Sequence, residues 1–156
     1  MSFRRPARWL SLLANVGALI GLLLIVVQLG QNRDLMRAQI RHDLAMGIVE
    51  LLNAPAANSQ LASVLRRGEL GEQLTADEQF QFNVRSNALL RYWEDVHYQY
   101  RQGMFDDDEY QKHLATVTSV ISRNNGLLVY WCTYKSMYSV PFGNDMDSLL
   151  GSDACD

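Results

Sequence analysis

The first third of the chain carries two hydrophobic patterns in succession. Residues Trp9 to Leu29 form a run of 21 residues without a charge, which as a helix would cover about 31 Å, close to the thickness of a bilayer's hydrocarbon layer. After this run apolar residues recur at helical spacing, and the next proline is Pro55. The pattern therefore predicts a transmembrane helix over residues 9–29 that continues as a juxtamembrane helix over residues 30–53.

Two other interpretations of the apolar run fit it less well. A cleavable export signal has a shorter apolar region followed by small residues at the cleavage site, whereas Leu29 is followed by GQNRDLMR. A buried core helix would have to place 21 uncharged residues inside a small protein. No second run of comparable length follows, so we expect one permanent membrane crossing.

The rest of the chain predicts helices and no strand. Asn58 or Ser59 can cap a helix that stops at Gly68, and a Thr75-x-x-Glu78 capping box opens a long helix that ends at Gly103. An acidic run at residues 106–109 begins a third helix, and an aromatic segment over 127–139 forms a fourth before Pro141. The predicted fold is all-α: a transmembrane helix continuing into a juxtamembrane helix, then a small bundle of about four helices. The expected organisation is a basic tail (1–8), the span (9–29), a helical body (30–140) and a polar C-terminal tail (141–156).

The charge distribution separates the tail from the body. Residues 1–29 carry three arginines and no acid, whereas residues 30–156 carry 11 basic and 17 acidic side chains. An acidic body lacks the positive field that nucleic-acid binding requires. The two cysteines, Cys132 and Cys155, show neither metal-ligand spacing nor a disulfide framework, and Cys132 lies in an apolar helix where a thiol is usually inert packing.

Small residues inside the span predict a helix-pairing face. Gly17 and Gly21 form a G-x-x-x-G motif, and Ala14 and Ala18 repeat the spacing. Such residues let a second helix come close in a membrane, and the Asn15 amide could hydrogen-bond across the contact. The alternative is that these residues are simply common in spans and have no partner. With pairing, the partners would be membrane lipid and either a second copy or another membrane protein.

Cationic and aromatic residues mark both ends of the span. Trp9 follows a basic N-terminal tail and has the character of an interfacial residue. The predicted headgroup contacts are Arg4, Arg5, Arg8, Trp9, Arg33 and Arg37. Three arginines on each side, counting Arg41 on the second, leave the orientation nearly balanced by the positive-inside rule.

Four residues of the body are the only candidates for a metal site. Glu94 and His97 form a Glu-x-x-His step on one helix, and Glu109 and His113 stand four residues apart on the next. Di-iron helical bundles use two such steps with further glutamates, but only one true step is present, so we expect no metal or other cofactor. No nucleophile or phosphate-binding motif occurs, so we expect no catalytic residue. The many aromatic side chains are expected to form the core more than a ligand pocket.

The chain also resembles a widespread group of small bacterial membrane proteins that have an N-terminal span and a helical body. The resemblance covers most of the chain and is carried by VVQLGQNRDLMRA after the span and by ALLRYWEDVHYQYRQGMFDDDEYQ, with Glu94, Gln99 and Gly103 as markers. It implies architecture only, since the group has no established activity to transfer. It also implies an inner-membrane location with a cytoplasmic body, although the RRPAR tail departs from the group's charge pattern.

Two function classes follow from these features. The first is a non-catalytic single-pass membrane protein that acts as an interaction, scaffold or accessory subunit through its span and helical body. The alternative is a helical bundle that binds a metal or small ligand near Glu94, His97, Glu109 and His113, with an enzymatic or sensor role. The first class is the one we expect.

Overall fold

The computed structural model describes residues 4–151, 154 and 155, with side chains described from residue 9 onward. All regular structure in these residues is helical, as predicted. The helices are α1 (Arg4–Ala57), α2 (Ser59–Glu69), α3 (Ala76–Arg101), α4 (Asp107–Ser122), α5 (Asn125–Tyr134) and α6 (Val140–Leu150), with a 3₁₀ turn at Lys135–Met137. The chain forms two compact units, Met1–Gln39 and Ile40–Asp156.

Helix α1 continues past the apolar run, as expected, but ends later than residue 53. It reaches Ala57, so Pro55 lies inside its last turn, where the missing N–H removes one backbone hydrogen bond without ending the helix. The break comes at Asn58, which has an extended backbone and whose side chain accepts hydrogen bonds from the N–H groups of Gln60 and Leu61 at 3.0 and 3.1 Å. Asn58 is therefore the N-cap of α2.

The predicted capping box at the start of α3 is confirmed. The Thr75 N–H donates to Glu78 Oε2 at 2.9 Å, and the Glu78 N–H donates to Thr75 Oγ1 at 3.4 Å. Glu78 also pairs with Arg67 of α2. These bonds hold the pKa of Glu78 below its usual value, and the bond from the Thr75 N–H has the largest effect, followed by the bond from Arg67. At the other end of α3, Gly103 adopts φ 71°, which explains a glycine as the helix terminator.

Two glycines let three helices of the body come close together. Gly68 was expected to stop α2, but it lies inside the helix, where a Cβ atom would overlap the ring of Phe82 from α3. A Cβ on Gly126 in α5 would overlap the carbonyl oxygen of Gly68. Glycine at these two positions is thus required by packing between helices.

The core lies around Trp131, which is fully buried on α5. The predicted aromatic core is present, and α6 contributes to it through Phe142 and Met146. We expected a polar tail from residue 141, whereas Val140–Leu150 is a helix. Pro141 begins this helix because its missing N–H is not needed in the first turn. The core cluster comprises Leu90, Trp93, Val117, Ile121, Leu127, Tyr130, Trp131, Tyr138, Phe142 and Met146.

The expectation of no disulfide is wrong. Cys132 of α5 and Cys155 are joined by a disulfide, with their Cα atoms 5.4 Å apart. Gly151 ends α6 with φ 90°, and the following chain brings Ala154 and Cys155 beside α5, where the Ala154 carbonyl oxygen lies 3.8 Å from Cys132 Sγ. The spacing of 23 residues between the two cysteines does not predict their disulfide. The chain returns to α5 only after α6, a helix that the sequence pattern does not predict.

Candidate functional site

The N-terminal part of α1 has the properties of a membrane span. By length and composition, Trp9–Ala57 is the one helix within the described residues that is apolar enough to cross a bilayer. Its most apolar 18-residue window has a mean hydropathy of 2.6, and none of that window is buried. The exposed side chains include the leucines and valines of residues 10–29.

The residues predicted to pair helices lie along this exposed stretch. Ala14, Asn15, Gly17 and Ala18 are exposed and Gly21 is half-buried. A Cβ atom added to Gly17 or Gly21 would meet no heavy atom within 4 Å. The two glycines therefore leave room for another backbone to approach.

The structure describes the side chains of some of the predicted headgroup residues and not of others. The side chains of Arg4, Arg5 and Arg8 lie outside those described, whereas Trp9 is exposed and Arg33 and Arg37 lie one turn apart on α1. Arg41, which follows Arg37 at the same spacing, forms an ion pair with Glu109 and lies 3.8 Å from Asp106. The acidic run at residues 106–109 is visible in the sequence and suits a cationic partner. Only the fold shows that this partner is Arg41.

Glu94 is held at the junction between α3 and α6. It accepts hydrogen bonds from the Ser139 N–H at 2.7 Å and from Arg91 Nη1 at 2.6 Å. Partial burial acts to raise the pKa of Glu94, but the Ser139 and Arg91 bonds outweigh it and hold that pKa below its usual value. Arg91 also lies 4.5 Å from the centre of the Tyr138 ring, so Glu94 has the surroundings of a structural carboxylate.

His97 has a different partner. It is buried, and its Nε2 lies 2.9 Å from Asp145 Oδ2 of α6. The ring also packs against Tyr110 and Phe142. The Glu-x-x-His step is therefore split, with Glu94 engaged by Ser139 and Arg91 and His97 by Asp145.

Glu109 and His113 border a cleft of about 320 Å³ between α1, α3 and α4. Arg41 and Glu109 form a charged part of its lining, and the ring centres of Tyr92 and Tyr110 each lie 6.3 Å from that of His113. Burial lowers the pKa of His113 to about 4 and raises the pKa of Tyr110 to about 12. Neither group has a pKa suited to proton transfer near neutral pH.

Metal-ligand geometry is not present in the part of the chain that the structure describes. No three His, Cys, Asp or Glu side chains come close enough there to hold an ion. Glu94, His97, Glu109 and His113 therefore do not form a group that could hold an ion. Comparison of the chain with protein-family models, curated proteins and solved structures finds no match.

Proposed function

We propose that the chain is a single-pass membrane protein whose span and helical body bind other proteins and which has no catalytic role. The observation that carries the proposal is the uncovered apolar surface of α1, none of whose most apolar window is buried. Apolar surface of this extent requires a bilayer or a partner. In the body, Glu94 and Glu109 are engaged in hydrogen bonds and ion pairs within the chain.

Helix pairing through the span supplies the first contact in this proposal. The open face at Gly17 and Gly21 would admit a second copy or the helix of another membrane protein. Asn15 would donate or accept a hydrogen bond across that contact. Arg33 and Arg37, with the N-terminal arginines, would hold the span in register with lipid headgroups.

The disulfide favours a body outside the cytoplasm. Disulfides persist in the periplasm and are rare in the reducing cytoplasm, and Cys132–Cys155 ties the end of the described chain to α5. The resemblance implied a cytoplasmic body, whereas the disulfide supports the opposite orientation, with the N-terminal arginines inside. We assign the protein to the bacterial inner membrane with its body in the periplasm.

Thiol labelling in a Gram-negative host tests this orientation. Acid-quenched cells are treated with a polyethylene-glycol maleimide before and after reduction. A periplasmic body gives no gel shift before reduction and a shift by two labels after it, because the chain has two cysteines. A host without its periplasmic thiol oxidase is the control and should give labelled protein at once. Labelling without reduction in the normal host contradicts the assignment.

Association through the span is tested with full-length protein in mild detergent. Cross-linking and identification of co-purifying chains are compared for the natural sequence, Gly17→Leu and Gly21→Leu, each of which should reduce association. Gly30→Leu is the matched control, because Gly30 is also open and lies about half a turn round the helix from Gly21. Equal association in all four proteins would contradict pairing through this face, and a protein without any partner would contradict the proposed function.

A further inference from the structure

The cleft that Glu109 and His113 border has aromatic walls, and we call it the aromatic cleft. Four rings line it, from Tyr92, Phe105, Tyr110 and His113. Helix α1 supplies aliphatic side chains to the rest of the lining. The volume of about 320 Å³ lies near the lower limit of roughly 300–1,000 Å³ for small-molecule sites. The cleft therefore has room for a molecule with one or two rings.

Contacts outside the cleft hold one of these rings in place. Tyr110 is buried and stacks on Tyr100, with the ring centres 3.8 Å apart and the planes inclined by 5°. The Tyr100 hydroxyl in turn donates a hydrogen bond to Asp107 Oδ1 at 2.9 Å. The wall that Tyr110 forms is thus fixed without a ligand, which lowers the entropic cost of binding.

The charges of the lining cancel. Arg41 and Glu109 are the charged residues that line the cleft, and they form an ion pair with each other. Asp106 lies outside the lining, 3.8 Å from the same guanidinium. An anionic ligand would have to compete with these two carboxylates for Arg41, and a cationic ligand would have to compete with Arg41 for Glu109. The lining therefore favours an uncharged ligand.

His113 brings hydrogen-bonding groups to the cleft. Burial lowers its pKa to about 4, so near neutral pH the imidazole is uncharged and has one N–H donor and one acceptor nitrogen. Neither ring nitrogen forms a hydrogen bond within the residues that the structure describes, and neither is shielded from solvent. An accessible imidazole beside aromatic walls suits a ligand whose ring carries a hydrogen-bonding group.

We propose that the aromatic cleft binds an uncharged phenol, with the ring of the phenol against the aromatic walls and its hydroxyl donating to a ring nitrogen of His113. A phenolic hydroxyl, with a pKa of about 10, keeps its proton at neutral pH. An aromatic ring also gains from stacked or edge contacts with other rings, which an aliphatic alcohol lacks. This ligand is additional to the proposed function and does not depend on pairing of the span.

Fluorine NMR of 4-fluorophenol with the full chain in lipid nanodiscs tests the proposal. Saturable binding is expected after the signal from empty nanodiscs is subtracted. Fluorobenzene should bind at least about fivefold more weakly, because the hydrogen bond to His113 is lost. Charged 4-fluorobenzoate should also bind more weakly than 4-fluorophenol, since it meets Glu109. Equal or tighter binding of fluorobenzene or 4-fluorobenzoate would overturn the proposal.

A histidine substitution identifies the hydrogen-bonding group. His113→Phe keeps a ring in the wall and removes both nitrogens, so the affinity for 4-fluorophenol should fall to that for fluorobenzene. His42→Phe is the matched control, because His42 is exposed on α1 and lies outside the lining. It should leave the affinity unchanged.

A second variant fills the cleft and decides the matter if His113→Phe does not fold. Ala45 is an exposed lining residue on α1, so Ala45→Trp should occlude the cleft and abolish saturable binding. Ala115→Trp, at an exposed position of α4 outside the lining, should leave binding unchanged. Unchanged affinity in both His113→Phe and Ala45→Trp, or no saturable binding of 4-fluorophenol by the natural chain, would overturn the proposal.

Discussion

Residues Met1–Gln39 and Ile40–Asp156 form two compact units that use apolar side chains in opposite ways. In the first unit Leu19 is 61% exposed and Trp9 66% exposed, although both lie in the apolar run. In the second unit Leu90 and Trp131 are fully buried. Apolar side chains are stabilised by removal from water. The body removes them from water with its own helices, whereas the exposed apolar run of α1 would need lipid or a partner to do so.

Glycine shows the same contrast. Gly17 and Gly21 in the first unit have open space where a Cβ would lie, whereas Gly68 and Gly126 in the second have a ring or a carbonyl oxygen there. Gly68 and Gly126 are already packed against other helices. Beside Gly17 and Gly21 no atom of the described chain fills the space. The contrast between the units is therefore a contrast between contacts made within the chain and contacts left for other molecules.

The largest expected effect comes from a pair of tryptophan substitutions. Trp131→Ala should destabilise the body by about 3–5 kcal/mol because it empties the centre of the core. Trp9→Ala should leave the unfolding transition of the body unchanged, since Trp9 is exposed in the other unit. Circular dichroism at 222 nm during denaturation in mild detergent measures both. A similar loss in the two variants would contradict the separation between the units.

Removal of the disulfide should have the next largest effect. The double substitution Cys132→Ser and Cys155→Ser opens a loop closed over 23 residues, and the loss of that constraint on the unfolded chain costs about 3 kcal/mol. The same denaturation experiment measures the change. Reductant should destabilise the natural protein by a similar amount and leave the double variant unaffected. Insensitivity of the natural protein to reductant would mean that the cross-link does not form.

A pair of glycine substitutions sharpens the comparison within the body. Gly126→Ala should destabilise it by roughly 1–3 kcal/mol, because the added methyl meets backbone that cannot move aside. Gly143→Ala in α6 meets no atom within 4 Å and should stabilise the helix by up to about 1 kcal/mol. Thermal denaturation of both variants, with the natural protein as reference, provides the test. Equal effects of the two substitutions would show that helix propensity alone sets the change in stability.

The smallest expected effect is a pH dependence that belongs to His113. Its pKa is about 4 in the folded protein against 6.5 in an unfolded chain, so as pH falls below 6.5 the unfolded state takes up a proton first and stability decreases. Allowing for partial solvent exposure, the loss between pH 7 and pH 5 should be about 1 kcal/mol. Below pH 4 both states are protonated and this contribution stops changing. His113→Gln should abolish it, and an unchanged slope in that variant would assign the effect to another group.

Helices with strong local signals were predicted well from the sequence. Asn58, Thr75 with Glu78, and Gly103 each act through atoms within a few residues of themselves, so their caps and ends could be read from spacing. Gly68 was misread as a stop because its reason for being glycine is Phe82, a residue on another helix. The sequence pattern does not predict helix α6, because Pro141 suggests a helix end, whereas in the structure it stands in the first turn of a helix.

The residues of the candidate site show more strongly that contacts between different helices are not predicted by a single sequence. The spacing of Glu94 and His97 correctly places them one turn apart on a helix, but their partners Ser139 and Asp145 lie 45 and 48 residues away. The Arg41–Glu109 pair likewise depends on which helices meet. Polar partners at long sequence separation leave no periodic trace in a single sequence.

The sequence by itself determined the all-α class, the apolar run and most helix limits, because hydrophobic periodicity, caps and breaks are local properties of the chain. Only the tertiary structure decided that Cys132 meets Cys155, that Gly126 touches Gly68 and that His113 borders a cleft with Tyr92. These contacts join residues from different helices, and their existence depends on how the helices pack in three dimensions.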